Sequence, residues 1–234
     1  MAPYRREQSP CAKVHSDPGA KAVRLLRSIR AQALAPPAAL DAGASNRSNS
    51  ALMKFCAECG GRVSLRTPEG DHLPRHVCEA CGAIHYRNPR LVVGCVPELD
   101  GRILLCKRAI EPRRGYWTVP AGFMENGETL QQAAARESRE EALAEVEIGS
   151  LLAIVHVLHA EQVHVFFRAR LHTPVFAAGP ESLEVELVAL NGIPWADLAF
   201  PSTEFALRRY LEDRAEGREP HHFTEVNRRA GTVG

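Results

Sequence analysis

Three glutamates, Glu137, Glu140 and Glu141, share one strip of a segment with helical spacing. At about 100° per residue, that strip prolongs the apolar stripe opened by Leu130, Ala133 and Ala134, while Gln132, Ala135 and Arg139 fall opposite. Carboxylates therefore stand where a core-facing helix would carry leucines. Like charges that close to a low-dielectric interior raise one another's pKa or require a cation. Glutamate oxygens grouped on a rigid face suit Mg2+ or Mn2+, hard ions that take oxygen ligands. By itself, the run 136–141 reads more simply as a solvated helix face with Arg136 and Glu140 paired at i,i+4.

A second chemistry is written in cysteine. Cys56 and Cys59 form one Cys-x-x-Cys pair, Cys78 and Cys81 another, with eighteen residues between the pairs. Four thiolates at this spacing close a tetrahedral site, so the expectation is a structural Zn2+ with no open position for water. A redox pair is the competing reading, and the matched second pair weighs against it. This usage points to a reducing compartment, with the cytoplasm as the expected location. Cys95 and Cys106 lie in apolar runs and read as inert buried thiols.

The loop ahead of the glutamates changes the weighing. Gly122, five residues, Glu128, seven residues, Arg136-Glu137, two residues and Glu140-Glu141 resembles the box of the Nudix hydrolases, and the wording of residues 123–129 is similar too. Ser138 stands where that family has an aliphatic residue. Leu143 stands where it has glycine, which turns left-handed more readily than leucine. The resemblance covers residues 87–216 and implies an α/β/α sandwich with a mixed sheet, preceded by a small four-cysteine zinc ribbon over 54–86.

It also implies that Glu137, Glu140 and Glu141 hold Mg2+ or Mn2+, with Glu140 and Glu141 in the catalytic set. Glu128 and Arg136 then orient the loop against the helix, and Gly122 allows backbone to approach metal or phosphate closely. The general base is either a box glutamate or a carboxylate from elsewhere. Glu184 is the remote candidate, ahead of Glu181 and Glu186; equally, Glu184 alternates with Leu183, Val185 and Leu187 as the wet face of a strand. Arg113 and Arg114 are candidates for gripping a phosphate or ribose edge, and read otherwise as solvated loop residues. Trp117, with Tyr116 and Phe123, could stack on an adenine or flavin ring, or belong to the core. His156, His159 and His164 read as strand residues more readily than as phosphate ligands.

The elements that must hold these groups follow from the pattern of the chain. Residues 91–96 and 102–107 form a hairpin about Asp100-Gly101, 116–119 a short strand into the loop, and 129 opens the helix. Strands are expected over 148–158, 163–171 and 183–190, and a second helix over 203–216. The tail after Gly217 is polar and reads as loose.

The segment up to residue 53 lacks a sustained pattern and reads as disordered. Within it, 21–35 mimics a basic amphipathic helix of the transit-peptide kind, which would imply organelle import if that segment is translated. A start at Met53 is the competing reading.

With 234 residues and 45% hydrophobic content, the chain can fill one domain plus an appendage. No apolar run is long enough to span a membrane. A net charge of +1 argues against bulk nucleic acid as a partner. The ribbon reads as a scaffold or dimer element, so a homodimer is expected.

Two accounts share these residues. In one, the chain hydrolyses the diphosphate bond of a nucleoside diphosphate derivative. In the other it is a nucleotide sensor or nucleic-acid module without turnover, which would not need an intact carboxylate set. A ribbon ahead of a Nudix domain resembles the NADH pyrophosphatases, whose Ser-Gln-Pro-Trp-Pro-Phe-Pro motif has no counterpart between Glu145 and Gly192. The wording of 111–113 and 117–125 is more similar to the ribbon-bearing group that includes plant ADP-ribose/FAD pyrophosphatases. ADP-ribose or FAD is therefore the expected substrate, with NADH or a dinucleoside polyphosphate as the alternative.

Overall fold

The computed structural model describes residues 53–227; the basic segment 21–35 and the transit-like reading lie outside them. The ribbon comes first. Strands β1 (Val63–Arg66), β2 (Arg75–Cys78) and β3 (Ile84–His85) form a small antiparallel sheet that carries the cysteine pairs at its turns.

The second sheet begins with β4 (Arg90–Leu99), which turns at Asp100-Gly101 into β5 (Arg102–Arg108). Both turn residues have positive φ, 50° and 72°, the two-residue geometry whose twist matches paired strands. Two short strands, β6 (Trp117–Thr118) on β5 and β7 (Ala121–Phe123) on β4, carry the glycine loop. Helix α1 (Leu130–Ala142) follows, then β8 (Val146–Val157), β9 (Gln162–Leu171), β10 (Ser182–Ala189), helix α2 (Pro201–Glu216) and β11 (His222–Val226). The sheet order is β10-β5-β4-β9-β8-β11. β4 with β9 and β8 with β11 run parallel and the other pairs antiparallel, so the sheet is mixed as expected.

Helices cover both faces, and the strands accordingly read as near-continuous apolar runs. Toward α2, Val96, Ile103, Leu105 and Phe166 pack with Ala206, Leu207 and Tyr210. Toward α1, Val93, Cys95, Val165 and Phe167 meet Ala133 and Ala134. Cys95 and Cys106 are both buried, and burial pushes both thiols well up. No helix among the described residues is long and apolar enough to cross a membrane.

The polar tail is a correction. His222–Val226 forms a strand that pairs with Ala153–Val157 of β8. Its anchor is a buried pair: Asp213 of α2 takes both the Arg168 guanidinium and the His222 ring, and Arg168 also donates to the Pro220 carbonyl. A sequence reading sees no apolar run there because the strand sits at the sheet edge and is held by charge.

Candidate active site

Helix α1 opens on Thr129, whose hydroxyl accepts from the Gln132 N–H while the Gln132 side chain accepts from the Thr129 N–H. This reciprocal cap sets the phase of the helix. Ala133 and Ala134 are fully buried on the sheet, so one turn later the same face carries Glu137 and Glu141 inward, 7% and 5% exposed. They meet β7. A β-carbon on Gly122 would overlap the Glu137 carboxylate, so it is the glutamate itself that requires glycine there. The Ala121 N–H donates to Glu141 Oε2 at 3.1 Å. Ser138, in the departure from the box pattern, is buried and donates to the Ala134 carbonyl while lying 3.2 Å from Cys95 Sγ.

Arg136 ties loop to helix. Its Nε and one terminal nitrogen donate to both oxygens of Glu128 at 3.1 and 2.9 Å, and that nitrogen also reaches the Phe123 carbonyl at 3.0 Å. The other terminal nitrogen donates to Glu137 at 2.7 Å and Glu140 at 2.9 Å. The Arg136 guanidinium holds Glu128 below the usual carboxylate range. Glu140 differs from its two neighbours, with its side chain 58% exposed. Among the described residues, the four ribbon thiolates converge into a ligand group and the three glutamates do not draw in as closely.

Burial pushes Glu137 up, and pushes Glu141 up to about 8 despite the Ala121 N–H. Two acid groups held in this way on an all-oxygen face fit a hard divalent cation, which would restore their charge.

The carboxylates sit in a cleft of about 1860 Å3. Glu181 lines it; Glu184 does not. Glu184 stands on the exposed face of β10, outside the cleft lining and paired with Lys107 at 3.0 Å. Its neighbour Glu181 is pinned by the Ala109 N–H on its carbonyl at 2.8 Å, and its charge adds to the upward push on Glu137 and Glu141. The loop before it crosses the end of α1, with Gly179 N–H on the Glu141 carbonyl. A side chain at Gly179 would overlap the Glu140 carbonyl.

Other expected groups divide. Arg113 lines the cleft, but its guanidinium lies 3.6 Å from the Tyr116 ring centroid and its Nε donates to the Ala199 carbonyl. Arg114 is exposed and outside the cleft lining. Trp117 packs against the core, with Lys107 over its ring. Of Tyr116, Trp117 and Phe123, the one that lines the cleft is Phe123, 46% exposed, with Arg90 stacked on it at 4.5 Å. His164 hydrogen-bonds Ser202 and Gln162, both at 2.9 Å, and burial lowers it to about 4. His156 is exposed. Arg108 went unnoticed in the sequence, where nothing marks the last residue of a strand as facing a cleft; it lines this one and is 9% exposed.

In the ribbon, the four Sγ atoms lie within 4.8 Å of one another. The Cys56–Cys81 and Cys59–Cys78 separations are 3.8 and 3.5 Å, close to the edge of about 3.8 Å that four Zn–S bonds of ~2.3 Å would give. None of the six described cysteines is in a disulfide. Amides of Glu58 and Cys81 point at Cys56 and Cys78 sulfurs, both at 3.4 Å. The group fits a structural zinc.

Comparison with known proteins agrees with this division. Residues 54–87 match the zinc ribbon model described as Nudix N-terminal, and residues 88–211 match the NUDIX domain model. The crystal structure of a NUDIX hydrolase from Nitrosomonas europaea is 53% identical with a TM-score of 0.73, covering 75% of this chain and 100% of that one. An ADP-ribose pyrophosphatase of Methanocaldococcus jannaschii is 31% identical over 47% of this chain and 67% of its own length. A NAD-capped RNA hydrolase NudC of Vibrio atlanticus is 38% identical over 38% of this chain, a match spanning only 31% of that protein. On the extent of the domain match, the chain belongs to the Nudix hydrolase family.

Proposed function

We propose that the protein is a Mg2+- or Mn2+-dependent pyrophosphohydrolase of a nucleoside diphosphate derivative, with ADP-ribose or FAD preferred over NADH. The observation that carries this reading is the burial of Glu137 and Glu141 against β7 at the wall of a large cleft. Divalent cations held by Glu137, Glu141 and the more exposed Glu140 would neutralise the diphosphate and lower the pKa of an attacking water. Arg136 keeps Glu128 and Glu137 in register with the loop, and the Ala121 amide orients Glu141. Glu181, the carboxylate entering from outside the box, receives the water's proton. Phe123 offers a flat apolar surface to a base or flavin.

The preference for ADP-ribose or FAD rests on the missing Ser-Gln-Pro-Trp-Pro-Phe-Pro segment and on the likeness to the archaeal ADP-ribose pyrophosphatase. Likeness to the NudC group favours NADH or an NAD-capped end as the second substrate class. Hydrolysis of ADP-ribose, FAD, NADH, diadenosine polyphosphates and 8-oxo-dGTP at matched Mg2+ decides between them. A kcat/KM for NADH equal to or above that for both ADP-ribose and FAD overturns the preference. Nucleotide binding without metal and without turnover would instead establish a sensor. Exposed Phe55, Leu65 and Tyr86 on the ribbon support a homodimer, which light scattering would test, and the reduced thiolate set suits the cytoplasm.

A further inference from the structure

Four thiolates around one Zn2+ leave two negative charges in excess, and each sulfur keeps lone pairs that must be solvated or bonded. The ribbon divides them. Cys59 and Cys81 are exposed and meet water, whereas Cys56 is 4% exposed and Cys78 is fully buried. The two buried sulfurs therefore depend on donors from the chain. Each receives an amide, from Glu58 on Cys56 and from Cys81 on Cys78. Cys56 has a second and closer neighbour, with His85 Nε2 at 3.2 Å from its sulfur. A thiolate has no proton to give, so the ring nitrogen is the donor and the bond runs from Nε2–H to Sγ.

Strand pairing explains why His85 reaches the metal site. β2 and β3 run antiparallel, with His76 opposite His85 and Val77 opposite Ile84. Opposed residues point to one face and alternate residues of a strand share it, so His76, His85 and Cys78 stand on the same side. The two imidazoles are not equivalent there. His76 is 7% exposed, and its Nε2 is buried with no partner among the described residues. His85 is half-buried and directs its Nε2 to Cys56. β3 is only two residues long, so its own ladder holds it weakly. Beyond it the chain runs through Tyr86 to Arg87, which pairs with Glu161, and to Asn88, which lines the cleft.

We infer that His85 is a positioning residue of the zinc site, an outer donor whose hydrogen bond to the Cys56 thiolate holds the metal in the ribbon. Drawing charge density from one sulfur reduces repulsion among the four and lowers the tendency of Cys56 to leave the ion. The same bond anchors the strand that leads to the cleft, so metal retention and the placement of Arg87 share one contact. The inference concerns the ribbon and does not depend on the proposed hydrolase activity.

The test follows zinc leaving the loaded full chain for a chromogenic chelator in excess. His85→Ala is expected to release zinc about 10- to 100-fold faster, the scale of a lost outer-shell partner. His85→Leu, similar in bulk and without a donor, should behave in the same way. His85→Gln, whose amide can still donate, should recover part of the difference. His76→Gln is the control on the facing strand and should release zinc at the wild-type rate. Cobalt(II) in place of zinc reports the bond itself. Without the donor the sulfur lone pairs rise in energy, so the thiolate-to-cobalt charge-transfer band should move to longer wavelength in His85→Leu and stay in place in His76→Gln. Wild-type release from both donor-free variants would overturn the proposal. So would equal acceleration in all four variants, which marks a general loosening of the ribbon, or a nitrogen neighbour of zinc in X-ray absorption, which makes His85 a ligand. A wild type that loads no zinc would overturn it together with the ribbon assignment.

Discussion

Glu141 carries the sharpest expectation at the scale of single residues. Glu141→Gln removes one charge and little volume, so kcat should fall by at least about 10²–10³ while the fold is kept; near-wild-type turnover with unchanged metal affinity would end its assignment. Gly122→Ala asks a different question. Its new β-carbon would meet the Glu137 carboxylate, so activity should drop with little change in thermal stability, and a structure of the variant should show Glu137 displaced. His164 gives a pH signature. Burial lowers it from 6.5 to about 4, so the folded state resists protonation that the unfolded chain accepts. Its contribution is present above about 6.5 and is lost as pH falls toward 4. Stability differences between wild type and His164→Gln should therefore shrink across that window, read as urea midpoints at several pH values; a pH-independent difference would show that the ring does not titrate there.

Leu143 is the element-scale anomaly. It ends α1 at φ 48° and ψ 33°, left-handed, with its N–H on the Arg139 carbonyl. The helix terminates as a glycine would terminate it, so the leucine is strained and half exposed. Leu143→Gly should stabilise by about 0.5–1 kcal/mol, the relief of left-handed strain less the freedom glycine gives the unfolded chain, visible as a raised Tm. The elements themselves were legible because both helices and all the long strands carry their own periodicity or apolar runs. The hairpin at Asp100-Gly101 and the helix start at Thr129 fall where turn and loop chemistry put them. What stayed hidden depends on where separate elements meet. Glu181 and Glu184 are three positions apart and chemically identical; only the crossing of residues 172–181 over the end of α1 brings one to the cleft and leaves the other with Lys107. Trp117 and Phe123 look equally able to stack, and strand pairing alone turns the first to the core and the second to the cleft.

At the scale of the whole molecule, the ribbon and the hydrolase domain make separable predictions. Protein purified without chelator should hold one zinc per chain through dialysis against magnesium, and metal analysis finding none would remove the ribbon assignment. Stripping that zinc should loosen the ribbon first, since metal binding and folding are coupled in such small units. The two are joined at Arg87, which pairs with Glu161 at 3.0 Å, and Met53, Arg87 and Asn88 reach the cleft wall, so some loss of substrate affinity should accompany it. The last strand raises a matter of timing. β8 is twelve residues long, and among the described residues part of its outer edge is closed by β11 alone, about 65 residues further along the chain. During synthesis that edge stays open until residue 226 has left the ribosome, a bare strand ready to pair with a neighbouring nascent chain. Products stalled or clipped ahead of His222 should therefore be the aggregating species, which the insoluble fraction of a variant stopped after Gly217 would check.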